Sequence, residues 1–145
     1  MDIVPERLTL ASALGADVAV NGADPHAAEQ IRDACGDRPN IVIESGGTEP
    51  STRLALASAS WMGDVVLVTV PPEPMPLVPV LLREIRLSGA RGGYGHYPES
   101  IELVRSGQID VARLVTHHYP LDRLGQALED VRARPGEIVR AAIIH

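Results

Sequence analysis

The sequence has no phenylalanine, a single cysteine and only 3% aromatic residues in 145. Without aromatic mass, aliphatic side chains must fill any core. One thiol, Cys35, permits no internal disulfide, which fits a reducing compartment. The formal charge is −6, and there is no basic run and no interleaving of basic with aromatic residues. That excludes a nucleic-acid surface, which needs cations clustered against phosphates. No apolar stretch approaches the ~20 residues needed to span a bilayer. The most apolar run, residues 75–82, is interrupted by Pro76 and Pro79. Asp2 and Glu6 stand where a signal peptide needs a basic start and an apolar core, so the expected location is cytoplasmic. A P-loop ending in Gly-Lys-Ser/Thr is missing, and so is any strand-turn-helix G-x-G-x-x-G. Gly92, Gly93 and Gly95 therefore read as a flexible connector. His117 and His118 are adjacent on an extended segment and point opposite ways, so they cannot readily chelate one ion. No other His or Cys lies at useful spacing, and no metal site is expected.

What is present is an alternation of strand and helix patterns. Hydrophobic residues make up 45% of the chain, and its length is that of one domain. Pro5 can open a helix at its first position, with Leu8, Ala11 and Leu14 on one face and Gly15 as terminator. Residues 17–20 read as a short strand. Asp24-Pro25 opens a helix running to about Ala34. The β-branched run Ile41-Val42-Ile43 reads as a strand buried on both faces. Thr48 begins the next helix, with Leu54, Ala55 and Ala59 inward. Residues 65–70 form the strongest strand pattern and are stopped by Pro71 and Pro72. A short helix over 77–83, a strand over 85–90 and a helix from Pro98 follow, the last packing through Ile101, Leu103 and Val104. A long helix over 121–133 and a strand over 138–144 close the chain. Strands separated by helices predict a parallel sheet and an α/β fold. Glu44 reads as a strand-end structural acid, and Trp61 as a packing residue.

The opening residues carry the sharpest site candidate. Asp2-Ile3-Val4-Pro5-Glu6-Arg7-Leu8 reads as a strand end running into a helix. A carboxylate on such a turn is what a dinucleotide-binding fold uses to grip an adenosine ribose. That fold places a strand, a glycine-rich turn and a helix before this point, and here only Met1 precedes it. The expectation is the later part of a cofactor domain.

These opening residues, with Leu14-Gly15-Ala16-Asp17, resemble the zinc-type medium-chain dehydrogenases, the group of alcohol, sorbitol and threonine dehydrogenases. In the same order, so do Ile41-Val42-Ile43-Glu44-Ser45-Gly46-Gly47, the run 65–72, the run 83–89, Ser106 to Asp110, Leu114 to His117 and Pro120-Leu121-Asp122. The resemblance covers nearly the whole chain. It implies an incomplete Rossmann-like doubly wound parallel sheet, a single truncated cofactor domain over 1–145. The first strand, the first helix and most of the second strand would be lacking. Residues 121–145 would be the helix and strand that in relatives return to the catalytic domain.

The resemblance also implies a set of cofactor contacts. Asp2 would hold the ribose hydroxyls and favour NAD over NADP, since a 2′-phosphate would meet like charge. Arg7 would lie near the adenosine. Val68, Thr69 and Val70 at one strand end, and Ala90, Arg91 and Gly92 at the next, would face the nicotinamide. Thr69 stands where relatives usually carry glycine, and its β-branched side chain threatens to crowd the cofactor. Zinc is used by relatives, but its ligands have no counterparts here. Cofactor binding is expected to be weak or vestigial and the chain inactive alone. Strand 85–90 is where relatives pair two subunits, so a homodimer is expected, and an exposed edge at 41–43 adds a hazard of association. A non-catalytic nucleotide-binding or dimerisation module, and a packing domain without ligand, are the competing readings.

Overall fold

The computed structural model describes residues 1–69, 74–75 and 77–145. The chain divides into two units, one of Val20–Tyr94 together with Met1 and the other of Asp2–Ala19 and Gly95–His145.

The first unit is built on a three-stranded parallel sheet, with β1 (Ile41–Glu44), β2 (Asp64–Leu67) and β3 (Arg86–Gly89) in that order. Consecutive parallel neighbours require a crossover between each pair. Those crossovers carry α3 (Glu49–Ser58) and α4 (Val78–Leu82), and α2 (Ala27–Cys35) precedes β1. Asp64 and Arg86 face each other in register. Arg86 Nε and Nη2 donate to the two carboxylate oxygens of Asp64 at 2.7 and 2.6 Å, a fork that pins β2 against β3.

The core lies between the sheet and α3. Ala55, Leu56, Ala59, Val65 and Ile85 are buried, with Val42, Leu67 and Val80 packed against them. Leu56 and Thr52 turn inward beside the expected Ala55 and Ala59, whereas Leu54 is half-buried. Small alanines let the helix sit close to the β-branched sheet, and this is how a chain poor in aromatics makes a core. Thr48 caps α3. Its hydroxyl accepts from the Ser51 amide while the Ser51 hydroxyl accepts from the Thr48 amide, a capping box. At the other end, Arg83 Nη1 donates to Ala59 O at 2.8 Å and Arg83 Nη2 to Leu56 O, while Arg38 reaches Ala57 O. Two guanidiniums thus satisfy carbonyls that the helix leaves unpaired. Burial pushes the Arg83 guanidinium down from its ordinary pKa, and the charge on Arg38 adds to the effect.

The second unit holds α1 (Pro5–Ala13), α5 (Tyr97–Arg105), β4 (Val115–Pro120), α6 (Leu124–Ala133) and β5 (Arg140–Ile144). β4 and β5 form a two-stranded parallel sheet. Tyr119 and Ala127 are buried at the contact with α6, and Ile138 is buried just before β5. Tyr119 Oη donates to Asp130 Oδ2 at 2.8 Å, and Arg134 pairs with the same oxygen at 2.7 Å. The end of α1 is held by Arg113, which donates to Ala13 O at 3.1 Å.

Several expectations are corrected. Residues 17–20 form no strand, although Val20 is buried. A strand needs a hydrogen-bonded neighbour, and among the described residues no ladder runs through 17–20; Asn21, just past this segment, makes an isolated bridge. Ile41 and Ile43 are 65% and 66% exposed, so β1 is not buried on both faces. Helices cover only the Val42–Val65 side of the sheet. β2 ends at Leu67, and Val70 with Pro71 and Pro72 lies outside the described residues. α5 buries none of its residues, and Ile101, Leu103 and Val104 stay exposed. Trp61 is 67% exposed rather than packed. Residues 115–120 form β4, where the sequence alone places only His117 and His118 on an extended segment. The polar His117 and Thr116 mask the period of two there, which survives as half-buried Val115, half-buried His117 and buried Tyr119.

Candidate functional site

In an open parallel sheet, ligands lie beyond the carboxyl ends of the strands. In the first unit those ends are Glu44, Leu67 and Gly89 with the residues that follow them. The ladder continues one step past each strand: Val68 N donates to Glu44 O, and Ala90 N donates to Leu67 O, both at 2.9 Å. Val68 and Ala90 thus follow paired residues at the ends of β2 and β3, with Thr69 next in the chain after Val68 and Arg91 and Gly92 next after Ala90. Val68 is 49% exposed, and Ala90, Arg91 and Gly92 are exposed. Gly92 has φ +63°, a left-handed conformation that favours glycine, and it turns the chain away from the strand end.

Glu44 organises this edge. Its carboxylate is buried, yet every donor around it is used. Oε1 accepts from Gly46 N at 2.8 Å, Gly47 N at 3.1 Å and Ser51 Oγ at 2.7 Å, and Oε2 accepts from Thr69 Oγ1 at 2.8 Å. Burial pushes the carboxyl up, but the bonds from Ser51, Thr69, Gly47 and Gly46 outweigh it and hold Glu44 below the ordinary carboxylate range. The carboxylate also faces the first turn of α3, where the helix dipole favours negative charge. Glu44 is thus the strand-end structural acid expected from the sequence. Its link to Thr69, which lies 25 residues on, was not legible there, because separation in sequence hides it.

Gly46 and Gly47 have distinct reasons to be glycine. A Cβ on Gly46 would stand 2.6 Å from Ser51 Oγ. Gly47 has φ +67°, and a Cβ there would lie 3.2 Å from Thr69 Cβ.

Asp2 and Arg7 lie in the second unit, at the start of α1. Arg7 Nη1 stands 3.7 Å from Asp2 Oδ2, and Arg7 Nε donates to Pro135 O at 3.1 Å. Asp2 Oδ1 accepts from Val4 N at 3.0 Å, a turn that leads into Pro5. Both residues border a shallow concavity of about 470 Å³ floored by Leu10, Ala11, Leu14, Leu114 and Val139, with Arg140 at its rim. Asp2 keeps a carboxylate oxygen facing a guanidinium rather than bare solvent. A hydroxyl donor therefore finds an acceptor there, within a charge-balanced pair.

His117 is stacked on Tyr119 with ring centroids 6.5 Å apart, and His118 is exposed on the other side of β4. Among the described residues no group of three or more His, Cys, Asp or Glu is placed to hold a metal ion. No helix among the described residues is long and apolar enough to cross a membrane.

Comparison with known proteins follows the same lines. Residues 1–106 match the family model described as zinc-binding dehydrogenase. A sorbitol dehydrogenase of Bombyx mori is 32% identical over 134 residues, which are 88% of this chain and 38% of that protein. The alcohol dehydrogenase zinc-binding domain protein of Burkholderia ambifaria superposes with a TM-score of 0.82 at 26% identity, covering 97% of this chain and 39% of that one. The short chain alcohol dehydrogenase (rspB) of Escherichia coli CFT073, solved with its cofactor NADH, superposes with a TM-score of 0.86 at 22% identity, covering 97% and 42% of the two chains, and shows the shared fold. The chain spans about two fifths of the length of the curated relatives it matches. Its parallel sheets and crossover helices are part of a Rossmann-like α/β fold. The chain belongs to the zinc-binding dehydrogenase family.

Proposed function

We propose that this chain is the nucleotide-binding portion of an alcohol- or polyol-type dehydrogenase, with NAD as cofactor and hydride transfer as its reaction. The observation that supports the reading is the carboxyl end of β2 and β3, where Val68, Ala90, Arg91 and Gly92 are exposed and Thr69, next after Val68, is half-buried. An amide-bearing ring can bond to strand-end amides and carbonyls while its face rests on Val68. Asp2 would accept from ribose hydroxyls and Arg7 would flank the adenosine. Val70 belongs to the same proposed set and lies outside the described residues. Nicotinamide supplies the hydride chemistry when bound. This chain contributes orientation.

The described residues include no glycine-rich turn before a helix of the kind that grips a pyrophosphate. NADH binding by this chain on its own is therefore weak, and a catalytic zinc would need ligands that the described residues do not group together. Residues 121–145 are proposed as the helix and strand that return to a catalytic domain. A second role, dimerisation, is favoured by β3, whose four residues are all exposed at an unpaired sheet edge. Calorimetric titration of the chain with NADH tests the first reading. Binding in the millimolar range is expected, and saturation at low micromolar NADH would contradict the argument from the missing pyrophosphate grip.

A further inference from the structure

Thr69 is a bulky side chain at a strand end where a planar ligand must reach backbone, and the structure shows where that bulk goes. Thr69 Oγ1 donates to Glu44 Oε2 at 2.8 Å. Its Cβ sits over Gly47, only 3.2 Å from where a Cβ on that glycine would stand. The space that any other residue at position 47 would fill is therefore taken by Thr69. Glu44 is itself fixed by Gly46, Gly47 and Ser51, so it cannot follow Thr69 if that side chain moves.

We infer that Glu44 is a positioning residue: it holds the Thr69 side chain in the notch over Gly47 and so keeps the strand-end backbone at 68–69 clear for a nicotinamide ring. The inference rests on the proposed nicotinamide edge. The residues fit such a ring, because Val68 is exposed and the Thr69 side chain next to it is tied back. Threonine has three staggered rotamers, and the branched carbon and the hydroxyl exchange places between them. Losing the bond to Glu44 frees the side chain to swing its methyl group or hydroxyl toward the ligand side.

Two measurements on the full chain test this. The first reads the Thr69 rotamer from three-bond couplings between its Cγ2 and the backbone nitrogen and carbonyl carbon, with no ligand present. A single rotamer is expected in the native chain and an averaged one in Glu44→Ala, which removes every partner of the Thr69 hydroxyl on that side chain. The second is a double-mutant cycle in NADH affinity. Glu44→Ala is expected to weaken NADH about tenfold, the loss typical of one hydrogen bond that fixes geometry. Removing the freed side chain in Glu44→Ala/Thr69→Gly should recover most of that loss, and a purely structural role for Glu44 would not produce this recovery. Should Glu44→Ala fail to fold, Thr69→Val makes the same test. It keeps the bulk and loses the bond, so it weakens NADH, while Thr69→Ser, which keeps the hydroxyl, binds more tightly than Thr69→Val. An averaged Thr69 rotamer in a native chain that binds NADH overturns the latch and leaves the nicotinamide reading standing. A fixed rotamer in a chain indifferent to NADH supports the latch and overturns the nicotinamide reading. A double variant no tighter than Glu44→Ala overturns the positioning role.

Discussion

Glu44 shows how a buried charge is made tolerable. Each of its oxygens has donors, so the desolvation cost is met by hydrogen bonds rather than by a counter-ion. Replacing it with glutamine removes the charge that strengthens the bonds from Gly46, Gly47 and Ser51, and makes Thr69 Oγ1 accept from the new amide group instead of donating. Glu44→Gln is expected to cost about 1–3 kcal/mol in urea unfolding. The same residue sets a pH dependence. Its folded-state pKa is lowered from the ordinary 4.5, so its contribution is fully present above that value and is lost as pH falls through the folded pKa. Acid unfolding of the native chain should therefore show a limb below pH 4.5 that is reduced in Glu44→Gln, as followed by circular dichroism. The sequence made Glu44 legible as an acid ending a strand. It left Thr69 looking like an obstacle, because only the fold brings residues 44, 47 and 69 to one point.

At the scale of elements, the crossover helix α3 is specified at both ends, by a capping box at Thr48 and Ser51 and by Arg38 and Arg83 on its last carbonyls. The planar fork of arginine suits this role, since one guanidinium reaches more than one carbonyl. Gly47, just before α3, combines a left-handed backbone with close approach to Thr69. Gly47→Ala is expected to destabilise the chain by about 1–2 kcal/mol from the backbone alone, which thermal melting would show. α5 gives the contrasting case. Ile101 is 63% exposed, so Ile101→Gln should change stability by less than about 0.5 kcal/mol, read by urea midpoint. A larger loss would mean that α5 is covered in solution. Strands β1 and β2 were legible because β-branched runs between helices have few alternatives, whereas β3, Arg86-Leu87-Ser88-Gly89, was legible from its place after a helix and from the resemblance. β4 was not, because histidine and threonine hide its alternation, and the strand at 17–20 failed because a local pattern cannot supply a pairing partner. The amphipathic pattern of α5 promised burial, yet a pattern describes a face and does not provide its cover.

For the whole molecule, the family and the order of the parallel strands were legible from a series of short motifs, none of them decisive singly. The sheet presents apolar residues that its own helices leave exposed, with Ile41 and Ile43 on β1 and Leu87 on β3. Unpaired parallel edges of this kind invite association. Self-association through β3 is therefore proposed, and Leu87→Lys should shift sedimentation velocity toward the monomer. An unchanged distribution would direct attention to the β1 edge instead.

The claim on which the functional reading turns is that the carboxyl ends of β2 and β3 receive nicotinamide. Amide chemical-shift mapping of the isotope-labelled chain against millimolar NADH tests it most directly. The account predicts concentration-dependent shifts centred on Val68, Thr69, Ala90, Arg91 and Gly92, with a second set at Asp2 and Arg7. Shifts confined to other residues, or none across that range, would contradict it.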